Sequence, residues 1–452
     1  MGGVGIIVSN KKVGLIVCLG VAAILVMTAF PVRATMTSEA STTWEEAGDT
    51  IAHGVYVGNV GGTNGPEIVT VGEAVHGWPP ITKAQIRVYE HNGSALTLKA
   101  SNLWNSQNGT VNVYLGVSAG DVDNDGNTEI VTVGYAGDGT DYEPFVKLWE
   151  YDGSTLTAGL AWATAIPGAF RSVHAVDIMD TATPEIVVAG DAYNETKHQG
   201  WLLFFQVDAY GITKGDEVKW TDGKDVLAYS VNAKNIDNDV NVEMVTVGYT
   251  RTSAGDPKQG EVRAWEYVSG SFTPEGDDSW QLTPPYYDTV FYGVYNANVD
   301  NSGGEEIVVC GVGHKYQDRP LIHEDWGILR VYSHDGNDFV FEEDKSWDSG
   351  DETVCRSVHA ANLDGDGYLE MSAGGWTLIS NTYYGEIKTF EWQGGLSAIA
   401  TEDTTQWYTT SHTRVNSIFD ANADSDNTIE TVSAGRANDG GNDRGELRVW
   451  HL

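Results

Sequence analysis

The sequence predicts an all-β fold, a seven-bladed β-propeller built from four-stranded antiparallel blades. Three observations support this prediction. One short phrase recurs seven times along the chain, four candidate strands accompany the copies, and the two chain ends each carry part of one incomplete repeat. Four short strands repeated at a regular period are typical of propeller blades. No stretch after residue 35 shows convincing helical periodicity.

The repeated phrase begins with Glu, continues as a β-branched or apolar run and ends at Gly, as in EIVTVG. The interval between successive copies is nearly constant along the chain. Self-similarity at a fixed period marks a repeat architecture, so each copy identifies one repeat. The seven copies begin at Glu67, Glu129, Glu185, Glu243, Glu306, Glu370 and Glu430.

Each repeat contains runs with the composition of β-strands. The first run, such as YLGVSAG at 114–120, precedes the repeated phrase, which is itself the second run. The third run alternates and ends in an aromatic residue and a turn, as in FVKLWEYDG. Asn-Gly, Asp-Gly and Gly-Gly pairs follow it, as tight hairpins require. The fourth run carries one Trp, and these residues are Trp104, Trp162, Trp220, Trp280, Trp347 and Trp407.

The two chain ends predict how the array is completed. The last repeat stops at ELRVWHL, directly after its third run, so it lacks a Trp-bearing fourth run. Trp44 precedes the first repeat and stands one full repeat length before Trp104. We therefore expect the N-terminal segment to form the outer strand of the last blade, which would leave no unpaired sheet edge at the join. The predicted propeller covers residues 41–452.

Residues 1–34 have the features of a secretory signal. Lys11 and Lys12 precede the uncharged run 13–30, and small residues precede a candidate cleavage site after Ala34. This run is just long enough for a helix that crosses a membrane, so an uncleaved membrane anchor is the alternative. Both interpretations predict that the remainder is secreted or held at the cell surface, with residues 35–40 as a short linker.

Composition narrows the range of partners. The formal charge of −38 disfavours nucleic acid and anionic lipid surfaces, so contact with a membrane is expected only through the N-terminal segment. The same charge suits a chain that binds divalent cations. Cys310 and Cys355 lie beyond the N-terminal segment, and the sequence leaves open whether they form a disulfide or two buried thiols.

Nine-residue acidic loops join the first and second runs of most repeats. In the second repeat the loop reads DVDNDGNTE, with acids at positions 1, 3, 5 and 9. Alternate side chains of a tightly curled loop point inwards together, and calcium takes about six to eight oxygen ligands. We therefore predict structural calcium in the loops of repeats two, four, six and seven. The predicted ligands are Asp121, Asp123, Asp125, Glu129, Asn235, Asp237, Asp239, Glu243, Asn362, Asp364, Asp366, Glu370, Asn422, Asp424, Asp426 and Glu430.

The Glu that closes each loop predicts a second role. The loops of repeats one and three, NVGGTNGPE and DIMDTATPE, lack most of the other ligands but keep Glu67 and Glu185. We therefore expect this Glu to hold backbone amides of the loop, and these two loops to be simple acidic turns. The loop of repeat five, NVDNSGGEE, is intermediate.

The acidic loops resemble those of a known family. Loops of the form D-x-D-x-D-G-x-x-[DE] between inner strands are similar to the FG-GAP/VCBS-type repeats of integrin alpha-subunit propellers and of many microbial exported proteins. The resemblance covers essentially all of residues 41–452. It implies calcium in the matching loops, at Asp121, Asp123 and Asp125 and at Asn362, Asp364 and Asp366. This sequence has Glu where the integrin-type loop ends in Asp.

Candidate ligand-binding residues lie away from the acidic loops. The loops that join the second and third runs are rich in aromatic residues, which suit sugar rings or peptide side chains but could equally cover the blades. These residues are Trp78, Tyr142, Tyr193, Tyr316, Trp326, Trp376 and Tyr384. Two first runs share the string Arg-Ser-Val-His-Ala, which contains Arg171 with His174 and Arg356 with His359. These four side chains are candidates either for binding an anion in a central channel or for a hydrogen-bonded structural role.

Taken together, these patterns favour a calcium-binding, non-catalytic module that binds a glycan or an extracellular protein, as in adhesion at the cell surface. A polysaccharide lyase or a glycosidase is the catalytic alternative, and a structural surface-layer component is a third. No nucleophile elbow, HExxH motif or phosphate loop occurs in the sequence. One fold hosts many functions, so the propeller prediction does not decide among them.

Overall fold

The computed structural model describes residues 35–452, except residues 47, 63–64, 107–108, 140, 222–223, 254, 282–286, 317–322, 394–398, 410 and 439. The predicted signal or anchor at residues 1–34 lies outside the described residues. The described part is all-β and contains 28 strands. Within it, no helix has the length and apolar character needed to cross a membrane.

Strand β1 (Thr37–Trp44) precedes the first repeat. The strands of repeats one to four are β2 (Thr50–Gly58), β3 (Glu67–His76), β4 (Ile81–His91), β5 (Leu96–Trp104), β6 (Val111–Gly120), β7 (Glu129–Gly137), β8 (Tyr142–Tyr151), β9 (Leu156–Ala163), β10 (Gly168–Val176), β11 (Glu185–Tyr193), β12 (His198–Asp208), β13 (Gly211–Trp220), β14 (Asp225–Lys234), β15 (Glu243–Arg251), β16 (Gln259–Val268) and β17 (Ser271–Trp280). The strands of repeats five to seven are β18 (Tyr287–Ala297), β19 (Glu306–Tyr316), β20 (His323–His334), β21 (Phe339–Trp347), β22 (Glu352–Ala361), β23 (Glu370–Ile379), β24 (Thr382–Trp392), β25 (Ile399–Trp407), β26 (His412–Ala421), β27 (Glu430–Asn438) and β28 (Asp443–His451).

The strands of one repeat pair in chain order to form a four-stranded antiparallel sheet, as in β10-β11-β12-β13. Single parallel bridges additionally link β4 to β6 and β20 to β22. The last three strands pair with the first one, in the order β1-β28-β27-β26. The N-terminal segment therefore is the outer strand of the last sheet, as its Trp44 predicts. This strand begins at Thr37, inside the segment 35–40 expected to be a linker, because Met36 and Ala40 are both buried.

Burial differs between the strands as their composition predicts. The second strand of a repeat is buried on both faces, and Ile130, Val131 and Val133 of β7 are fully buried. Side chains from consecutive sheets form shared apolar clusters, such as the one that joins Val131 to Trp201. The hydrophobic core therefore lies between the sheets, where apolar area is removed from water on both sides.

The first strands are neighbours throughout the described part of the chain. Each of β2, β6, β10, β14, β18 and β22 contacts the first strand of the following repeat, and β26 contacts β2. The outer strands also bridge to the next sheet through their Trp residues. Trp220 Nε1 donates to Glu261 Oε2 at 3.0 Å, and Trp44 Nε1 donates to Gln85 Oε1 at 2.6 Å. The last and first sheets are thus joined by the same kinds of contact as two sheets that are consecutive in the chain.

Cys310 and Cys355 are both buried free thiols. The structure therefore favours the second of the two arrangements that the sequence leaves open.

Candidate functional site: acidic loops and an inner cavity

The Glu at the end of each acidic loop binds the loop backbone in all seven repeats. In repeat two, Glu129 Oε2 accepts a hydrogen bond from the Val122 amide at 3.0 Å. The equivalent Glu carboxylates accept from the amides of Val60, Ile178, Ile236, Asp300, Leu363 and Ala423 at 2.5–3.2 Å. The predicted hydrogen bond between this Glu and the loop backbone is therefore confirmed. It explains why Glu67 and Glu185 occur in loops with few other acids.

The loop carboxylates converge in three of the predicted calcium loops. One ligating oxygen from each acid lies within 4.8 Å of the others in three groups, which are Asp121, Asp123 and Glu129; Asp237, Asp239 and Glu243; and Asp364, Asp366 and Glu370. In repeat two, Asp121 and Asp125 also accept backbone hydrogen bonds at 2.8–3.1 Å, which curl the loop around this point. The arrangement offers several oxygens to one hard cation.

The other loops share parts of this geometry. The first-position side chains of Asn235, Asn362 and Asn422 each accept a backbone hydrogen bond at 2.6–2.7 Å. In repeat seven, Asp426 accepts from the Thr428 amide at 2.6 Å, as Asp125 does from Asn127. In repeat three, Asp177 accepts from three loop amides at 2.7–3.2 Å. That loop has no acid at positions 3 or 5, so its hydrogen bonds close a turn without a ligand set.

Grouping these carboxylates is electrostatically unfavourable in the absence of a cation. Burial, together with the nearby Asp carboxylates, raises the pKa of Glu129 and Glu243 to about 7 and that of Glu370 to about 8. Burial and the neighbouring Asp125 also raise the pKa of Asp123. A divalent cation would remove this repulsion.

A second feature is a β-bulge at the same place in the first strand of every repeat. The pairing register skips one residue at each bulge, as between Phe170 and Ser172 in β10. A bulge leaves its extra residue unpaired and re-aims that side chain. The seven bulged residues line one cavity of about 130 Å³, here called the inner cavity. They are His53, Leu115, Arg171, Tyr229, Tyr292, Arg356 and Asn416.

The two arginines of the inner cavity have different surroundings. Arg171 Nε donates to Asp191 Oδ1 at 2.7 Å, and the other oxygen of Asp191 lies 2.8 Å from His198 Nδ1. The hydrogen bond to Asp191 raises the pKa of His198. The Arg356 guanidinium lies over the Tyr292 ring at 4.1 Å, and among the described residues it forms no ion pair with a carboxylate. Arg171 is therefore neutralised, whereas Arg356 has charge available for a ligand.

The structure separates the histidines from the arginines of the shared string. His174 and His359 do not line the inner cavity and lie three residues further along their strands, towards the acidic loops. His174 Nδ1 accepts from the Ala233 amide at 2.9 Å, and burial and the nearby His359 lower its pKa to about 4. His359 packs between the Tyr295 and Phe419 rings, at 3.8 and 4.5 Å. His174 therefore fits the hydrogen-bonded structural role that the sequence left open, whereas neither ring nitrogen of His359 has a hydrogen-bond partner among the described residues.

The predicted aromatic residues are dispersed. Trp376 approaches the inner cavity, since the Arg356 guanidinium lies 5.4 Å from its ring. The others lie elsewhere: Trp78 is 94% exposed, Tyr142 contacts Tyr135, Tyr193 contacts His198, Trp326 lies near Lys315, and Tyr384 contacts Tyr408. The side chain of Tyr316 lies outside the described residues. Among the predicted aromatic residues, Trp376 therefore has the most direct contact with a residue that lines the cavity.

Sequence reasoning missed five of the residues that line the inner cavity, namely His53, Leu115, Tyr229, Tyr292 and Asn416. The signal was present, because these residues align with Arg171 and Arg356 when the seven first strands are superposed on the repeat. The bulge that turns these side chains inwards could not be predicted, because the seven bulged residues share no residue type.

No protein-family model matches the chain, and no curated protein matches it. Among solved structures, Sqt1 from Chaetomium thermophilum is 10% identical with a TM-score of 0.49, over 92% of this chain and 98% of that one. The alpha-L-arabinofuranosidase Arb93A from Fusarium graminearum, solved with an iminosugar inhibitor, is 10% identical with a TM-score of 0.46, over 75% and 93%. A rhamnogalacturonan lyase from Bacillus licheniformis is 14% identical with a TM-score of 0.36, over 90% and 91%. Similarity at this level carries no conclusion about activity.

Proposed function

We propose that this chain is an exported, calcium-stabilised seven-bladed β-propeller of the FG-GAP/VCBS type that binds a carboxylated sugar without catalysis. The contacts between consecutive first strands, including β26 with β2, support a closed ring of blades. The pairing of β1 with β28 supports closure of the last blade by the N-terminal strand. An exported protein of this kind acts at the cell surface or outside the cell.

The inner cavity carries the proposal for the ligand. One bulged side chain from each repeat points to it, and beside its aromatic rings lies Arg356, which has no carboxylate partner in the described part of the chain. Guanidinium groups recognise carboxylates, and aromatic faces pack on sugar rings. The seven bulged residues also line a further space of about 180 Å³, so the cavity has room for a charged group and the ring that carries it. The charge of −38 repels a long polyanion, so we expect a ligand that presents one terminal acidic residue.

The tyrosine beside Arg356 bears on the choice between binding and catalysis. A lyase would need a base close to the arginine that neutralises the sugar carboxylate, and Tyr292 has the right position for that role. However, burial raises the pKa of Tyr292, although Arg356 acts in the opposite direction. The phenol is therefore a weaker acid than that of an ordinary tyrosine, which suits a hydrogen-bond donor to the ligand better than a catalytic base.

Calorimetric titration with glucuronic and galacturonic acid tests this proposal, with glucose as the neutral control. We expect the uronic acids to bind and glucose not to bind. Arg356→Gln should abolish binding, whereas Arg414→Gln should retain it, since Arg414 also lies near Trp376, at 5.2 Å, but does not line the cavity. Equal binding by both variants, or no binding of any acidic sugar, contradicts the proposal. Release of an unsaturated sugar from a uronic-acid polymer would support the lyase instead.

The calcium proposal rests on the grouped carboxylates of repeats two, four and six, and includes repeat seven because of its similar loop. A ligand that binds only the folded state raises the melting temperature. Asp121→Asn should reduce the increase caused by calcium, whereas Asp177→Asn should not. The two aspartates accept similar backbone hydrogen bonds, but Asp121 lies in a group with Asp123 and Glu129, whereas the loop of Asp177 has no acid at positions 3 or 5. A chelated protein whose melting temperature does not respond to calcium would refute these sites.

A further inference from the structure

A different group of ligating side chains lies at the junction between the last and first sheets. Glu39 belongs to β1, Asp424 to the acidic loop of repeat seven, and His91 to the end of β4 in repeat one. One ligating atom of each residue lies within 4.8 Å of those of the other two. These residues come from two neighbouring sheets, so the group exists only where the sheets meet.

The buried polar atoms of this group lack partners among the described residues. His91 is 3% exposed, and neither of its ring nitrogens has a hydrogen-bond partner there. The buried Oε2 atom of Glu39 has none either. Leaving an imidazole and a carboxylate oxygen unsatisfied in a protein interior costs free energy, and most such groups in native proteins are paired. A metal ion between them would satisfy both at once.

Local backbone geometry directs the three residues to one point. Glu39 is a bulged residue, because the pairing of β1 with β28 passes from Ser38 to Ala40. Gly93 follows His91 in a turn with φ +81°, and a Cβ atom at this glycine would lie 2.9 Å from Asp424 Oδ2. Glycine therefore allows the Asp424 carboxylate to approach the turn.

A similar arrangement occurs between repeats four and five. Asp237, Glu275 and His334 occupy the corresponding positions, and their ligating atoms also lie within 4.8 Å of one another. Glu275 is again bulged, and its buried Oε2 atom has no hydrogen-bond partner within the described ranges. A Cβ atom at Gly336 would lie 3.2 Å from Asp237 Oδ2.

The second group is less open to a ligand. His334 Nδ1 accepts from the Gly336 amide at 3.2 Å, and its Nε2 lies 3.3 Å from the Glu275 carbonyl oxygen. In the other five repeats the position equivalent to His91 and His334 is occupied by an aromatic or aliphatic residue. These residues are Tyr151, Val207, Tyr267, Trp392 and Leu452.

We propose that Glu39, His91 and Asp424 bind a zinc-class divalent transition-metal ion, and that Asp237, Glu275 and His334 form a weaker second site. One imidazole and two carboxylates form a donor set that suits zinc, with water completing the coordination. Calcium prefers oxygen ligands alone and has no use for the imidazole. A cavity of about 270 Å³ lined by His91 and Asp424, among other residues, provides a path for entry.

This site is independent of the proposed sugar ligand. Asp424 and Asp237 also belong to proposed calcium loops, so calcium would compete for these carboxylates. Zinc binding is therefore measured both without calcium and with calcium at saturation. A zinc ion here would link the N-terminal strand to the first repeat and would therefore stabilise the junction between the chain ends.

Zinc titration of the full chain by calorimetry, without calcium and in saturating calcium, tests this inference. We expect one tight and one weaker site. His91→Tyr should weaken the tight site by more than about tenfold, since it removes a metal ligand. His334→Tyr should remove the weaker one. Tyrosine is chosen because Tyr151 and Tyr267 occupy this position in other repeats, so the variants should fold. His76→Tyr, at an exposed histidine, is the control and should retain both sites.

Two further readouts separate a metal site from a structural histidine. Cobalt bound in place of zinc should give visible absorption bands that His91→Tyr removes, and zinc should raise the melting temperature of the parent chain but not that of the double variant. Zinc binding that is unaffected by both substitutions overturns the proposal. Absence of zinc binding to the calcium-free parent chain also overturns it.

Discussion

Replacing Trp44 with alanine removes the main side chain that joins the N-terminal strand to the first sheet. Trp44 is 8% exposed, its ring lies 5.9 Å from that of Tyr89, and the Arg87 guanidinium lies 5.0 Å from it. Its Nε1 atom donates to Gln85 Oε1 at 2.6 Å. The Trp44→Ala variant would lose these contacts and leave the Gln85 oxygen without its donor.

The magnitude follows from these contacts. Truncating a buried tryptophan to alanine costs about 3–5 kcal/mol. The loss of the Trp44 donor is part of this total, since a buried acceptor without a partner by itself costs about 1–3 kcal/mol. We therefore expect the free energy of unfolding to fall by about 4 kcal/mol. With an unfolding entropy of about 2 cal/mol/K per residue for residues 35–452, the melting temperature should fall by about 4–5 °C.

Differential scanning calorimetry of the parent and of two variants measures this effect. Trp220→Ala is the matched control, because Trp220 is similarly buried and also donates to a side-chain oxygen of the next sheet, here the Glu261 carboxylate, at a junction inside the chain. Similar decreases for both variants are expected if the junction between the chain ends is as stable as an internal one. A decrease below about 1 °C for Trp44→Ala, beside a full decrease for Trp220→Ala, would refute this reasoning.

Two further predictions concern groups that need no bound ion. Glu185→Ala should lower the free energy of unfolding by about 2 kcal/mol with or without calcium, because the Ile178 amide loses its acceptor. Glu185→Gln keeps an acceptor oxygen, so urea unfolding should show a much smaller decrease. Equal decreases for the two variants would argue against a role for this hydrogen bond. The pKa of His174 is lowered from its ordinary value of 6.5 to about 4 in the folded chain, so the unfolded chain takes up the proton first as the pH falls. The free energy of unfolding should therefore decrease by about 1–3 kcal/mol as the pH falls from 6.5 to about 4. Urea unfolding measured at a series of pH values should show a smaller decrease for His174→Gln. An equal decrease in the parent and the variant would contradict the assignment to His174.

The strands, the repeat and the completion of the last sheet could all be predicted from the amino-acid sequence. Each depends on local composition or on self-similarity: a β-branched run after Glu67 or Glu430 predicts a buried strand wherever it occurs. Trp44 predicted the N-terminal strand because six repeats carry a Trp at the same place. The role of Glu185 in binding backbone amides was also predictable, since that residue persists where the other acids are lost.

The acidic loops were predictable as groups because their residues are close in sequence, whereas the sites that gather residues from different sheets became apparent only from the packed structure. The inner cavity gathers one residue from each first strand through bulges, and a bulge depends on pairing with the next strand rather than on the bulged residue. Glu39, His91 and Asp424 are far apart along the chain and meet because two sheets pack together. A periodic sequence specifies its sheets locally, but convergence of polar groups between sheets depends on how the sheets dock.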